Sequence, residues 1–409
     1  MIHSSTTSPR VFAYKGTLAF GQIDRLQELT FSATLNRTKI QEIGRDGTVC
    51  WRKSIPTING TARQLEYGNL AFWKQLANKA TATTKVEWTD FESSAVDIAV
   101  YETDENNAFK STVWYPNLRT AGFALNIGSP EGQAERSFTF IGEDEITFQG
   151  DNKYLIVLQD SLAAAPAHTI VLNATTYANY PLPTANPDES GSASYIEKVV
   201  KVTSGGIAST LTSADYSYNA GTNTLTITNS AAGDTYKVYY TADTYITNQD
   251  LFTNNDADLC VLPAENCSIY LKTTNYVYRL QSVACDVTFD RYDVKEIGST
   301  DVVLRGVRDT NVRITLGRIL DQWTVEEVYR GVAPGYGRID IRDFDDNINL
   351  IIKLYSTDAK DTFSIGYAFT GLSPASLDNG VALNDYIKRG SVLQGEEGFV
   401  TSVESDLTL

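Results

Sequence analysis

Between Leu29 and Asn36 apolar and polar residues alternate: Leu29, Phe31, Ala33 and Leu35 hold one parity, and Thr30, Ser32, Thr34 and Asn36 the other. The alternation returns with Val283, Cys285, Val287 and Phe289 against Asp286, Thr288, Asp290 and Tyr292. A period of two is that of a strand with one face buried and one wet. It also specifies register, because a one-residue slip turns the whole apolar set outward. The two runs are copies of each other. Arg25-Leu26-Gln27 recurs as Arg279-Leu280-Gln281, Thr34 as Thr288, Arg37 as Arg291, and Glu42-Ile43-Gly44 as Glu296-Ile297-Gly298, each 254 residues on. Tyr101, Thr103, Asp104 and Phe109 reappear as Tyr355, Thr357, Asp358 and Phe363 at the same offset, so a domain is duplicated rather than a short motif.

Each copy continues alike. A Gly-containing loop, near Gly44–Gly47 and Gly298–Asp301, leads to a second strand near Thr57–Leu65 and Asn311–Leu320. One short helix follows. In the first copy Asn69 is placed to cap Leu70–Asn78, with Leu70, Trp73, Leu76 and Ala77 on one face. In the second, Thr324-Val325-Glu326-Glu327 fits a capping box and Gly331 a stop. Further strands are predicted at Val96–Tyr101, Phe138–Phe140 and Ile348–Leu354. Between the copies, Pro181, Pro183, Pro187 and the run Asp188–Ser192 read as a linker. Short alternating runs at 196–202, 216–218, 224–228 and 236–239, separated by Gly and Asn turns, predict a small β-sandwich. The expected fold is therefore mainly β, with segments 1–175 (first repeat), 176–245 (inserted module) and 246–409 (second repeat).

Composition agrees with this picture. Tyr and Phe (23 and 16) far outnumber Met (1), a mix that favours strands over helix bundles. The formal net charge of −16 argues against a chain that wraps nucleic acid by neutralising phosphates. Cys50, Cys260, Cys267 and Cys285 form no CxxC pair and read as free thiols, with Cys260 and Cys267 close enough in sequence to pair if oxidised. The first ten residues hold no apolar core of signal-peptide length and no run reaches a membrane span, so cytoplasmic synthesis is expected.

Catalytic signatures are missing. There is no P-loop and no His-Glu-x-x-His, and His3 and His168 are the only histidines. The run Asp343-Phe344-Asp345-Asp346 fails the EF-hand pattern, with Ile348 where Gly is needed, and reads as a solvated turn. His168 sits in Ala-Pro-Ala-His without a nucleophile motif beside it. The expectation is a protein that is not an enzyme and carries no catalytic group, cofactor or metal.

A long amphipathic strand, a loop, a second strand, one helix and further strands, framed by Arg-Leu-Gln and Glu-Ile-Gly, resemble the tube domain of phage tail tube (major tail) proteins. Type VI secretion tube proteins share that fold. The resemblance covers both repeats. It implies two tail-tube-type β-sandwich or barrel domains, each with one short α-helix, and an inserted module resembling the Ig-like decoration modules of virion proteins. It further implies a structural virion protein that polymerises as stacked rings into a hollow conduit for DNA ejection. The duplication points to trimers with pseudo-hexameric symmetry and the module outside the tube. The partners implied are further copies of the chain and other tail proteins such as tape measure, tail terminator and sheath. DNA would transit without specific binding, no membrane is involved, and assembly would take place in the host bacterial cytoplasm.

The wet face of the long strands then either lines the channel, through Thr30, Ser32, Thr34, Asn36, Asp286, Thr288 and Asp290, or forms an outer solvated surface. As a lining it would be neutral or acidic and repel DNA. Arg37 and Arg291 recur on the apolar parity. They either bridge to Glu42 or Glu296 of a neighbouring domain or reach solvent at the strand end. Residues 1–12, the loops 44–52 and 298–305 and the tail around Glu404 are the expected ring-stacking elements. The rival reading is a virion receptor- or carbohydrate-binding protein acting through the tyrosines of the middle module.

Overall fold

The computed structural model describes residues 10–15, 18–23, 25–42, 47–77, 79, 82–92, 94–103, 109–149, 154–161, 168–174, 177–178, 180–187, 193–203, 208–228, 230–243, 260–272, 275–295, 302–320, 324–331, 340–380 and 386–407. The protein is mainly β, with two seven-residue α-helices among the described residues. These residues divide into two compact units, one within 1–23, 96–117 and 144–255, the other within 24–95, 118–143 and 256–409. The units interleave along the chain, whereas the three sequence segments are contiguous.

The second unit takes strands from both repeats into one eight-stranded sheet. The strands are β1 (Leu26–Thr34), β2 (Thr57–Leu65), β3 (Phe109–Ile127, of which 118–127 belong here), β4 (Ala134–Gly142), β5 (Leu280–Lys295), β6 (Val302–Ile319), β7 (Phe363–Gly380) and β8 (Lys388–Gly395). All neighbours are antiparallel, in the order β1-β2-β4-β3-β5-β6-β8-β7. Each repeat thus supplies the same four-strand ribbon, and the ribbons join where β3 meets β5, with Ile127 opposite Val283 and Gly122 opposite Thr288. Even the irregularities are duplicated. The bulge between Leu26 and Glu28 recurs between Leu280 and Ser282, and β3 and β7 carry matching shifts at Ala121 and Ala375.

A second sheet in this unit runs Asn275–Tyr276, Cys267–Leu271, Ile348–Tyr355, the N-terminal half of β7, Glu397–Thr401 and Lys85–Glu87. The last of these strands comes from the first repeat and pairs with the second. Helix α1 (Ala71–Ala77) is capped as its sequence predicts, Asn69 Oδ1 accepting from Ala71 N at 2.5 Å. It buries Trp73 within 4.8 Å of both Phe123 and Phe138, ring centre to ring centre. Helix α2 (Thr324–Arg330) buries Glu326, which pairs with Arg318 and, at 3.0 Å, with Arg389. Gly331 at φ +71° ends it, a left-handed conformation that favours glycine.

The first unit contains a two-sheet sandwich. Tyr154–Ser161, Thr235–Ala242, Lys198–Val202 and Ala208–Thr210 form one sheet, and His168–Val171, Thr224–Ile227 and Tyr216–Asn219 the other. Leu158, Ile170, Val199, Ile227 and Val238 fill the space between them. Two of these strands precede residue 176. The same unit holds Arg10–Lys15 paired with Leu18–Gln22 and with Val96–Thr103, and Ile146–Gln149 paired with residues 111–114. Its satellite core stacks Trp114 on Tyr239 at 5.3 Å.

Candidate assembly interface

Repeats joined edge to edge invite comparison of equivalent positions. On β5 the apolar parity is closed off: Val283 is 1 % exposed, Cys285 and Val287 0 %, and Phe289 5 %. On β1 the equivalent Leu29 and Phe31 are only half-buried, Ala33 is exposed, and Leu35 is 62 % exposed. The alternation is the same, so the difference lies in what covers it. Over β5 sits the first repeat, with Phe91 stacked on Phe289 at 5.6 Å and Phe123 at 6.4 Å. Among the described residues β1 pairs only with β2, and residues 373–380 of β7 only with β8. The sheet therefore ends in two edges of opposite kind, one from each repeat, each a row of backbone donors and acceptors open to another strand.

The second repeat mirrors this exposure. Trp88 and Phe91, 2 % and 0 % exposed, lie in a short 3-10 helix whose counterpart is Ile341–Asp343. There Ile341 is 67 % exposed and Phe344 half-buried. Phe123 at 4 % corresponds to a half-buried Leu377. Burying a side chain such as Leu35 stabilises by about 1.5–3 kcal/mol, so these partly covered groups mark a surface suited to a partner.

Arg291 shows what the internal junction requires. Its Nε donates to Thr120 O at 2.6 Å, and its terminal nitrogens donate to Phe91 O at 2.7 Å and Glu92 O at 3.2 Å. All three acceptors belong to the first repeat. Here a planar guanidinium fork fills a nest of backbone carbonyls at the end of a 3-10 turn and on β3. Burial, then the charge of Arg119, lowers its pKa to about 10, which leaves it charged at neutral pH. Its repeat partner Arg37 lies exposed on Arg37–Ile40, a short strand paired with Cys50–Lys53. Glu42 is exposed beyond it, and Glu296 lies outside the described residues.

On the opposite face Thr30, Ser32, Thr34, Asp286, Thr288 and Asp290 are exposed together. Asn36 lies past the end of β1, half-buried, its Nδ2 donating to Ile55 O at 2.8 Å. This face is less acidic than the strands alone suggested. Arg313 stands directly across from Asp286, Arg308 Nη1 lies 3.5 Å from Asp290, and Arg63 lies 3.3 Å from Glu135. The basic residues come from β2 and β6, which the β1 and β5 patterns do not reveal. Of the expected stacking elements, residues 1–9, 44–46 and 298–301 lie outside the described residues. The described hairpin exposes Ile40 and Trp51, the latter 60 %.

Other singled-out residues sit in packing and ion pairs. His168 pairs with Asp160 and stacks on Tyr236 at 5.6 Å. Asp343 and Asp345 take Arg330 at 3.1 Å and Lys272 at 2.8 Å. Tyr177, Tyr195, Tyr216 and Tyr218 of the module pack against its core. The four cysteines are free thiols; burial pushes that of Cys267 up to about 12. Among the described residues no three of His, Cys, Asp and Glu are grouped to hold a metal, and no helix is long and apolar enough to cross a membrane.

No protein-family model matches the chain, and no curated protein is similar to it. Among solved structures, a chain of an extracellular contractile injection system, the PVC sheath–tube complex in its extended state, is similar over 37 % of this chain and 98 % of that one, at 15 % identity and a TM-score of 0.29. So low a score assigns neither a fold family nor a function.

Proposed function

We propose that this chain is a structural, non-enzymatic subunit that polymerises edge to edge into a ring and, by stacking rings, into a hollow tube of the phage tail type. The observation that carries the reading is the sheet order β1-β2-β4-β3-β5-β6-β8-β7, in which two copies of one ribbon stand side by side with an open edge at each end. Such ends are heterologous surfaces, and a constant turn per ribbon closes them into a ring. Closure leaves no strand edge exposed and encloses a wet interior. Three chains would supply six ribbons.

The exposed face of Thr30, Ser32, Thr34, Asp286, Thr288 and Asp290 then lines the channel. Its arginines partner its carboxylates, so the lining offers DNA no continuous basic track to grip. Ile40 and Trp51 on the hairpin supply apolar area for ring-to-ring contact. DNA would pass through without specific binding, other tail components would meet the tube at its ends and outer surface, and no cofactor is needed. Electron microscopy and sedimentation of the full chain test the reading. Three-chain rings with sixfold-like outlines, stacking into tubes at high concentration, are the expected result. A monodisperse monomer under all those conditions would overturn it.

A further inference from the structure

We propose that the junction between chains is a copy of the junction inside the chain: β1 of one molecule adds antiparallel to the open edge of β7 in the next, Ser32 facing Asp378, with Arg37 seated on the carbonyls of Phe344, Asp345 and Pro374. The proposal rests on the ring reading and gives it a register and an anchoring residue.

The register follows from matched bulges. The shift at Ala121 of β3 corresponds to that at Ala375 of β7, an offset of 254 residues, and the bulge at Gln27 corresponds to that at Gln281 at the same offset. Inside the chain Asp286 faces Ala124 and Thr288 faces Gly122. Carried through the offset, Ser32 of one chain faces Asp378 of the next, and Thr34 faces Ser376. The exposed apolar residues at the two edges point to the same occupant. Leu35 stands where Phe289 packs on Phe91, and the second repeat presents Phe344, Ile341 and Leu377 only partly covered. A second copy supplies the missing half of each contact.

Arg37 supplies the anchor. Its counterpart Arg291 takes the carbonyls of Phe91, Glu92 and Thr120; the matching residues are Phe344 and Asp345, 253 residues on when the two 3-10 turns are aligned, and Pro374, 254 residues on. In the turn that offers them Asp343 and Asp345 already pair with Arg330 and Lys272, so the three carbonyls, rather than unpaired charge, hold the arginine. An exposed arginine repeated from a position where it bridges two domains is matched to the next chain rather than to solvent.

Disulfide trapping in the full chain tests the register. With Cys50 and Cys260 changed to Ser, the double variant Ser32→Cys/Asp378→Cys places thiols on strand neighbours about 4.5–5.5 Å apart at Cβ. Mild oxidation is expected to give a ladder of covalent oligomers that ends at the closed ring. The shifted pair Ser32→Cys/Ser376→Cys is expected to give none. Rings that cross-link only in the shifted pair, or in neither, overturn the register while leaving ring formation intact. A parent chain that forms no rings overturns both readings. Arg37→Ala is expected to weaken self-association about tenfold or more by sedimentation, with its thermal midpoint unchanged. Arg291→Ala is expected to lower the midpoint instead. Unchanged self-association in Arg37→Ala overturns the anchor.

Discussion

The Tyr367 hydroxyl donates to Glu66 Oε2 at 2.5 Å, a bond between residues 301 positions apart that ties the second repeat to the first. Glu66 is completely buried. It also accepts from Arg136 Nη1 at 3.2 Å and from the backbone N–H groups of Tyr67 and Gly68 at 3.0 and 2.9 Å. Burial, then the Glu66 charge, holds the phenol well above its ordinary pKa, so it stays a donor. Tyr367→Phe removes one donor from a carboxylate with three others and should cost about 1–3 kcal/mol. Glu66→Ala strands the Arg136 charge in the core and should cost about 3–5 kcal/mol. Urea denaturation of the two variants should rank them in that order.

Trp73 is the centre of the aromatic core of this unit. Phe91, Trp88 and Tyr367 surround it at 6.2, 6.1 and 6.0 Å, outside the closer ring contacts of Phe123 and Phe138. Rings from both repeats meet there, so Trp73→Ala leaves a cavity that neither repeat can close by itself. The expected loss is about 3–5 kcal/mol. Because β3 carries both Phe123 and the pairing to β5, hydrogen exchange should quicken along residues 283–288 as well as around the helix.

In the first unit, Lys237 is fully buried on the strand Thr235–Ala242, and burial pulls its amine down to about 7, with Asp97 acting in the opposite sense. Unfolded, the amine titrates near the ordinary lysine value of 10.5. Between these pH values the unfolded chain holds a proton that the folded chain lacks, so this group makes stability rise with pH from about 7 to 10. Lys237→Met has no such proton. The variant should be the more stable at pH 6–7, by on the order of 3 kcal/mol, with the advantage shrinking towards pH 10. Subtracting the two denaturation curves at each pH cancels the tyrosines that ionise at the alkaline end.

Local alternation made the strands and the doubled architecture legible, because period-two burial and a constant offset are both properties of side chains in order. What escaped is of two kinds. The carbonyl nest around Arg291 is made of backbone groups, which leave no mark on residue identity, so the sequence offers only a carboxylate or solvent as its partner. The exposure of Leu35 depends on what lies over the strand, and the same pattern is closed on β5 and open on β1. The buried charges were readable in principle. Arg136 falls on the parity of Ala134, Phe138 and Phe140, and a charge on an apolar parity signals a buried ion pair. The sandwich strand Tyr154–Ser161 lies before the proline-rich stretch that suggested a boundary, since its partner Thr235–Ala242 is distant in sequence.

The internal junction leaves no room for a side chain at Gly122. A Cβ there would lie 2.5 Å from Val287 O, a backbone atom that cannot swing aside. Gly122→Ala should therefore push β3 from β5 and destabilise the unit by about 1–3 kcal/mol, seen as a lower thermal midpoint. The equivalent residue at the open edge is Ser376, whose Cβ would meet Ala33 O of the next chain. In the proposed register the external junction would splay slightly at that pair, which would make it weaker than the internal one. Ser376→Gly removes the obstruction. It should tighten self-association several-fold while leaving the monomer's midpoint almost unchanged, since residue 376 is exposed in the single chain. Sedimentation of Ser376→Gly beside Gly122→Ala separates the two junctions: the first variant should shift only the association equilibrium, the second the unfolding transition.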